Sequence, residues 1–216
     1  TRRMICEIKT IDGASEDIYS VVFNADGTAI ATATTRGRAQ RWNVTDGTAL
    51  GPEMMRNEET FLLYWSADGK WISTGGGRSV HVWNAATGQL LGVPVRVNPG
   101  EHIEECEFSP DGKKILIAFS NQSIEPAAAR LYELPSLQPV GAALRHGDGV
   151  AGAGFSVDGR FVVTAGEDNT ARVWNTADGS PASPELRHGG IVRGLAFRGD
   201  GRVLATGCVD GMLRLW

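Results

Sequence analysis

The chain has 216 residues, 42% of them hydrophobic, enough to bury a sizeable core. Its formal net charge is -4 and no run of Lys or Arg stands out, so nothing draws a nucleic-acid backbone or an anionic membrane to it. Three cysteines, Cys6, Cys106 and Cys208, lie far apart without C-x-x-C spacing. That excludes a disulfide framework and a cysteine zinc site, and all three read as small strand hydrophobes.

No apolar stretch reaches transmembrane length and no signal peptide is visible, so a cytoplasmic location is expected. The chain starts at Thr1 and stops on Trp216, which reads as a fragment of a longer array. The 28 glycines imply many tight turns and favour an all-β chain.

In chain order, residues 3–11 alternate weakly in polarity. Residues 23–42, FNADGTAIATATTRGRAQRW, then open a pattern that returns four times. It reappears as WSADGKWISTGGGRSVHVW at 65–83 and, more loosely, as FSPDGKKILIAFSNQSIEPAAARLY at 108–132. The fourth and fifth copies, FSVDGRFVVTAGEDNTARVW at 155–174 and FRGDGRVLATGCVDGMLRLW at 197–216, align without a gap. The Asp-Gly pairs begin at Asp26, Asp68, Asp111, Asp158 and Asp200. Repeats therefore run over approximately 12–54, 55–97, 98–144, 145–186 and 187–216 of a single domain.

Each copy has the same physical logic. Asp-Gly supplies the positive φ of a tight or bulged hairpin turn between two apolar runs. A second turn leads to a third strand closing on Trp or Tyr. A proline-spotted segment such as LLGVPV at 90–95 follows, and proline confines that fourth strand to an edge. Four short strands per repeat with no helical period predict a propeller blade.

On these residues the chain resembles the WD-repeat family. The resemblance implies an all-β propeller of five four-stranded antiparallel blades. These form either a closed five-bladed ring or an open arc of a larger propeller, with 3–11 as a candidate ring-closing fourth strand. It also implies a hydrogen-bonded tetrad in each blade. Repeat four matches it with His146, Thr164, Asp168 and Trp174, and repeat five with His188, Thr206, Asp210 and Trp216. Repeat one keeps Thr32 and Trp42 but has Ala14 and Arg36 at the His and Asp positions. Repeat two keeps Thr74 and Trp83 around a shortened Gly75-Gly76-Gly77 turn. Repeat three has Ile117 and Tyr132 and an insertion near Ser120 to Pro126. These three blades are expected to lack the network and to be less stable.

Other motifs have plain structural readings. Gly147 to Gly152 fits G-x-G-x-x-G, but a strand follows where a nucleotide site needs a helix. His146 and His188 recur at one repeat position with partners, which speaks against metal ligation. His81, in a third strand, is expected to face solvent. The Asp-Gly carboxylates are turn residues one blade apart, not a catalytic pair. Asn43-Val44-Thr45 and Asn121-Gln122-Ser123 fit the glycosylation sequon by chance. The sequence thus calls for no catalytic residue, no metal and no cofactor.

The family resemblance points to protein partners on the loop rim before each innermost strand. There stand Asp17, Tyr19, Glu59, Phe61, His102, Glu104, Glu167 and Arg193. Exposed aromatics are typical anchors, and clustered carboxylates prefer a basic peptide. The expected function is a non-catalytic protein-interaction scaffold binding a protein or peptide, with neither nucleic acid nor membrane as partner. The T-G-x-x-L-G-x-P pattern at Thr87 to Pro94 looks like bacterial multi-repeat proteins, where such arrays join signalling domains. The alternative is a periplasmic or enzymatic propeller binding a small ligand or peptide, because Ser109-Pro110-Asp111-Gly112-Lys113 resembles the turn signature of those propellers.

Overall fold

The computed structural model describes residues 17–56, 58–121 and 128–216. The candidate ring-closing strand at 3–11, Ala14 and most of the repeat-three insertion lie outside them. Among the described residues all regular structure is strand, and no helix is long and apolar enough to cross a membrane. The strands form five antiparallel sheets, each a simple meander in chain order.

The chain divides into two compact units at Val95 and Arg96. The first contains β1 (Ile18–Phe23), β2 (Ala29–Thr34), β3 (Arg38–Asn43) and β4 (Met54–Met55), then β5 (Leu62–Trp65), β6 (Trp71–Gly76) and β7 (Ser79–Asn84), with β8 (Val95–Arg96) at its boundary. The second contains β9 (Glu101–Phe108), β10 (Lys114–Asn121), β11 (Ala128–Glu133) and β12 (Gln138–Arg145). Next come β13 (Val150–Phe155), β14 (Phe161–Gly166), β15 (Thr170–Asn175) and β16 (Leu186–Arg187), and last β17 (Val192–Phe197), β18 (Leu204–Cys208) and β19 (Leu213–Leu215). Four sheets thus have the expected four strands, and the fifth has three among the described residues. The expected edge strands are outermost in their sheets, and three of them, β4, β8 and β16, are only two residues long.

The Asp-Gly signal works as a bulged turn. Gly27, Gly69, Gly112, Gly159 and Gly201 all adopt φ between 67° and 73°, the left-handed region that costs glycine nothing. The preceding carboxylate accepts the N–H two residues on, as Asp158 does from Arg160 at 3.0 Å.

Sister blades pack through cross-strand alanines. Ala33 faces Ala39, Ala118 faces Ala129 and Ala165 faces Ala171. Each pair leaves a flat apolar patch on which the next blade lies. In the first unit Ala31, Ala33 and Ala39 receive Leu63, Ile72 and the Trp83 indole. In the second unit Ala118, Ala129 and Leu131 receive Phe155, Val162 and Trp174, while Ala165 and Ala171 receive Val192. Burying an aromatic of this size stabilises by roughly 1.5–3 kcal/mol. In the fifth blade the corresponding pair is Gly207 and Leu213. Leu213 and Leu215 remain 68% and 67% exposed, with no further strand beside them among the described residues.

The packing corrects one expectation. His81 is buried, not solvent-facing, and stacks on Trp83 with ring centroids 5.6 Å apart. Simple alternation fails because every residue from Ser79 to Trp83 is buried, so β7 is covered on both faces. Cys106 is buried in β9 and Cys208 lies half-buried in β18, with no disulfide among the described residues.

Candidate functional site

The fourth blade builds the complete polar network. The Trp174 indole N–H donates to Thr164 Oγ1 at 2.9 Å. The Thr164 hydroxyl, 2.7 Å from His146 Nε2, donates its own hydrogen bond to that nitrogen. His146 Nδ1–H is thereby left to donate to Asp168 Oδ1 at 3.0 Å. Asp168 also accepts from the Gly147 N–H at 2.8 Å and from the Thr170 hydroxyl at 2.7 Å. Thr170, overlooked in the tetrad pattern, is therefore a fifth member. Burial pushes the His146 pKa down, against the upward pull of Asp168. Burial would raise Asp168, but the hydrogen bonds from Thr170, Gly147 and His146 outweigh it and hold the carboxyl at about 2. A neutral imidazole facing a carboxylate is a structural tie between the entry loop and the β14–β15 turn.

The fifth blade departs from the expected tetrad. His188 Nε2 meets Thr206 Oγ1 at 2.7 Å, and Trp216 donates to the same hydroxyl at 2.9 Å. Its Nδ1, however, donates to the Leu186 carbonyl at 2.8 Å, and Asp210 takes no bond from the ring. Asp210 instead holds Arg214 at 2.8 Å and the Gly189 N–H at 3.2 Å. The reason lies two residues after the aspartate. Met212 stands where Thr170 stands in blade four and has no hydroxyl to bridge carboxylate and ring. Glu185 also draws Arg172 to 2.8 Å and leaves it 3.4 Å from Asp168, whereas Arg214 has no such competitor among the described residues.

The second blade carries a network that the tetrad pattern does not show. Arg56 lies nine residues before Trp65, as His146 lies nine before Phe155. It is buried and donates to the Gly76 carbonyl at 3.0 Å, the Ser79 carbonyl at 2.8 Å and Ser79 Oγ at 2.9 Å. Glu58 accepts from Ser79 Oγ at 2.8 Å and lies 3.4 Å from the guanidinium. Arginine thus replaces histidine, and the carboxylate comes from the entry loop rather than the turn. The Thr–Trp half of the tetrad survives in blades one and two, at 2.9 Å for Thr32–Trp42 and 2.8 Å for Thr74–Trp83. The third blade has no hydroxyl at Ile117.

All eight rim residues are exposed. They fall four into each unit. In the first, the Tyr19 and Phe61 rings meet edge to face with centroids 5.1 Å apart, 59% and 39% exposed. Asp17 and Glu59 flank them, and the Asp17 carbonyl accepts the Thr35 N–H at 3.2 Å, tying the rim to the β2–β3 turn. In the second unit His102 and Glu104 project from β9, and Glu104 accepts from the Ser120 hydroxyl. Glu167 sits against Gly149, and Arg193 edges a cavity of about 330 Å³ lined also by Val209, Met212 and Leu213.

Meandering four-stranded sheets, Asp-Gly hairpins and a Trp–Thr–His–Asp chain define a propeller-forming repeat protein. The family model for the WD domain, G-beta repeat, matches residues 5–43, 61–84, 138–175 and 184–216, more than half of the chain, which therefore belongs to that family. Proteins of this family generally act as protein–protein interaction scaffolds. The chain is 26% identical over 170 residues to human apoptotic protease-activating factor 1, covering 70% of this chain and 13% of that protein. It is 24% identical to WD repeat-containing protein slp1 of Schizosaccharomyces pombe, over 78% of this chain and 34% of the other. It is 26% identical to the U5 small nuclear ribonucleoprotein 40 kDa protein of Dictyostelium discoideum, over 81% and 48%. The chain thus spans less than half the length of these relatives. They are eukaryotic, so they give the bacterial likeness of Thr87 to Pro94 no support. The C-terminal WD40 domain of Sif2 superposes with a TM-score of 0.76 at 19% identity, over 97% of this chain and 57% of that one, and shows the shared fold.

Proposed function

We propose that the chain is a non-catalytic docking module that takes a basic peptide segment on the Tyr19–Phe61 rim of its first unit. The observation that carries this reading is the exposed edge-to-face aromatic pair flanked by Asp17 and Glu59. Two rigid aromatics offer apolar anchoring at low entropic cost, and the carboxylates select for positive charge. The likeness to an apoptotic protease-activating factor suits a module within a larger signalling protein.

Fluorescence anisotropy tests the reading with a labelled lysine-rich peptide carrying leucine anchors and its glutamate counterpart. The lysine peptide is expected to bind the more tightly. Tyr19→Ala combined with Phe61→Ala should weaken it by about tenfold or more, the effect of losing one hot spot, without changing the melting temperature. Equal affinity for both peptides, or no effect of the double substitution, would set the reading aside.

A further inference from the structure

Two departures from the repeat meet in one cavity of the second unit. Three residues after the hairpin aspartate, sister blades carry Ala29, Trp71, Phe161 and Val203, but the third carries Lys114. Two residues after the closing aromatic they carry Val44, Ala85 and Leu134, but the fourth carries Thr176. The backbone makes these positions equivalent. The N–H of Val44, Ala85, Leu134 and Thr176 donates to the carbonyl of Thr28, Lys70, Lys113 and Arg160 respectively, at 2.7 to 3.0 Å. Lys114 and Thr176 line one cavity of about 570 Å³ together with Arg160, Phe161, Asn175 and Asp178.

That volume suits a small ligand or a short side-chain segment. Thr176 is 5% exposed, and its hydroxyl has no protein hydrogen-bond partner among the described residues. An apolar residue there avoids the cost of burying an unpaired hydroxyl, as three sister blades do. Lys114 makes no ion pair among the described residues, whereas Arg160 lies over the Phe161 ring at 5.3 Å with Nε on Asp158 at 3.0 Å. Asp178 is committed to its own turn, accepting from the Ser180 N–H at 2.9 Å and its hydroxyl at 2.7 Å. Its negative charge at the cavity wall disfavours a dianion such as phosphate and leaves room for a single carboxylate. Phe161 offers an apolar wall to a methylene stem. Within blade four the β13–β14 and β15–β16 turns share one end of the strands, opposite to His146 and Glu167, so this cavity is separate from the rim.

We propose that the cavity between blades three and four binds an acidic peptide side chain, its carboxylate taken by Lys114 and Arg160 and, after rotation of the Thr176 side chain out of the wall, by the Thr176 hydroxyl. The ligand chemistry is the reverse of that on the Tyr19–Phe61 rim, and the two sites stand or fall separately.

NMR titration of the isotope-labelled full chain tests it with three probes: acetyl-Gly-Glu-amide, its neutral analogue acetyl-Gly-Gln-amide, and inorganic phosphate. The acidic dipeptide is expected to shift the amides of Gly159 to Phe161 and Asn175 to Asp178 saturably. The neutral one should leave them in place. Thr176→Val and Lys114→Met should each weaken the acidic dipeptide by about tenfold, the loss of one charge-assisted hydrogen bond. Valine occupies the same position at Val44, so Thr176→Val keeps the fold, and it should melt above the parent. The proposal is overturned by equal shifts with the neutral dipeptide, by saturation with phosphate alone, or by affinity unchanged in both variants. Absence of any saturable shift at these amides overturns it equally.

Discussion

The Nδ1 of His188 donates to the carbonyl of Leu186 at 2.8 Å, whereas its counterpart His146 donates to Asp168 at 3.0 Å. Two repeats with the same tetrad letters therefore hold their histidines differently. Removing Asp168 strands a buried imidazole N–H and loosens the Gly147 and Thr170 bonds. Asp168→Ala should cost about 1–3 kcal/mol, the range for a buried group left unsatisfied. Asp210→Ala should cost clearly less than Asp168→Ala, because the His188 ring keeps both partners and the Arg214 ion pair is only a surface one. Urea denaturation of the two variants checks this. Equal losses would mean that the fifth-blade ring turns to Asp210 in solution.

The Arg56 network makes a second prediction. One guanidinium serves two carbonyls and the Ser79 hydroxyl, and Glu58 ties that hydroxyl back to the entry loop. All three bonds leave from the single nitrogen Nη2, and a lysine ammonium ends one bond short of that atom. Arg56→Lys should therefore cost about 1–3 kcal/mol despite conserving charge, since buried acceptors lose their donors. A chemical melt of this variant within error of the parent would show that charge alone holds the site.

Much of this was legible in the repeat itself. Asp-Gly fixes the hairpins, the 42-residue spacing fixes the meander, and Thr with Trp nine or ten residues on fixes the indole hydrogen bond. The tetrad letters alone do not describe each blade. Arg56 occupies the histidine position, but the carboxylate serving it, Glu58, comes from a different loop, so its partner is set by tertiary approach. The His188 bond turns on Met212, a residue outside the tetrad. His81 escapes strand alternation, which assumes one solvated face where β7 has none. The rim positions are set by a fixed spacing before each landmark aromatic. The contact between Tyr19 and Phe61 depends on blade packing, which spacing does not encode.

Three groups at buried or half-buried sites contribute to the pH dependence of stability. His146 has its folded pKa below its unfolded one, so the unfolded chain binds the proton first. Its contribution is complete above the ordinary histidine pKa of about 6.5 and falls as the pH drops below that. Asp168, held at about 2 against an ordinary 3.8, adds a second loss between pH 4 and pH 2. Glu107 acts in the opposite sense. Burial, together with the neighbouring Glu105 charge, pushes it up to about 7 against the bond it accepts from the Phe155 N–H at 3.1 Å. Its ionisation therefore costs stability as the pH rises from the ordinary 4.5 through 7. Glu107→Gln keeps an acceptor for that N–H and removes the charge. The variant should melt above the parent at pH 8 and match it near pH 4.5. Thermal melts across this range decide the point, and a gap independent of pH would exclude Glu107 as its source.

Arg41 supplies the last prediction. It stands one residue before the closing aromatic, where the other four blades carry Val82, Leu131, Val173 and Leu215. The residue is 3% exposed; Nη1 donates to the Ala85 carbonyl, while Nε and Nη2 have no partner among the described residues. Burial pushes its pKa down, as expected for a cation without a counter-charge. Gly51 and Gly88 leave the space its terminal nitrogen fills, for a Cβ on either would approach Nη2 to 2.6 or 3.0 Å. One carbonyl bond does not offset the desolvation of a guanidinium, and replacing buried charge by well-packed hydrocarbon is commonly neutral or stabilising by about 1–4 kcal/mol. Arg41→Leu should therefore leave the first unit as stable as before or more so, with a midpoint of urea unfolding at or above the parent's. The leucine also leaves a gap beside Gly51 and Gly88, so Gly51→Ala, which clashes with the arginine, should be better tolerated in the Arg41→Leu background. A midpoint well below the parent's would show that the bond to Ala85 outweighs the buried charge.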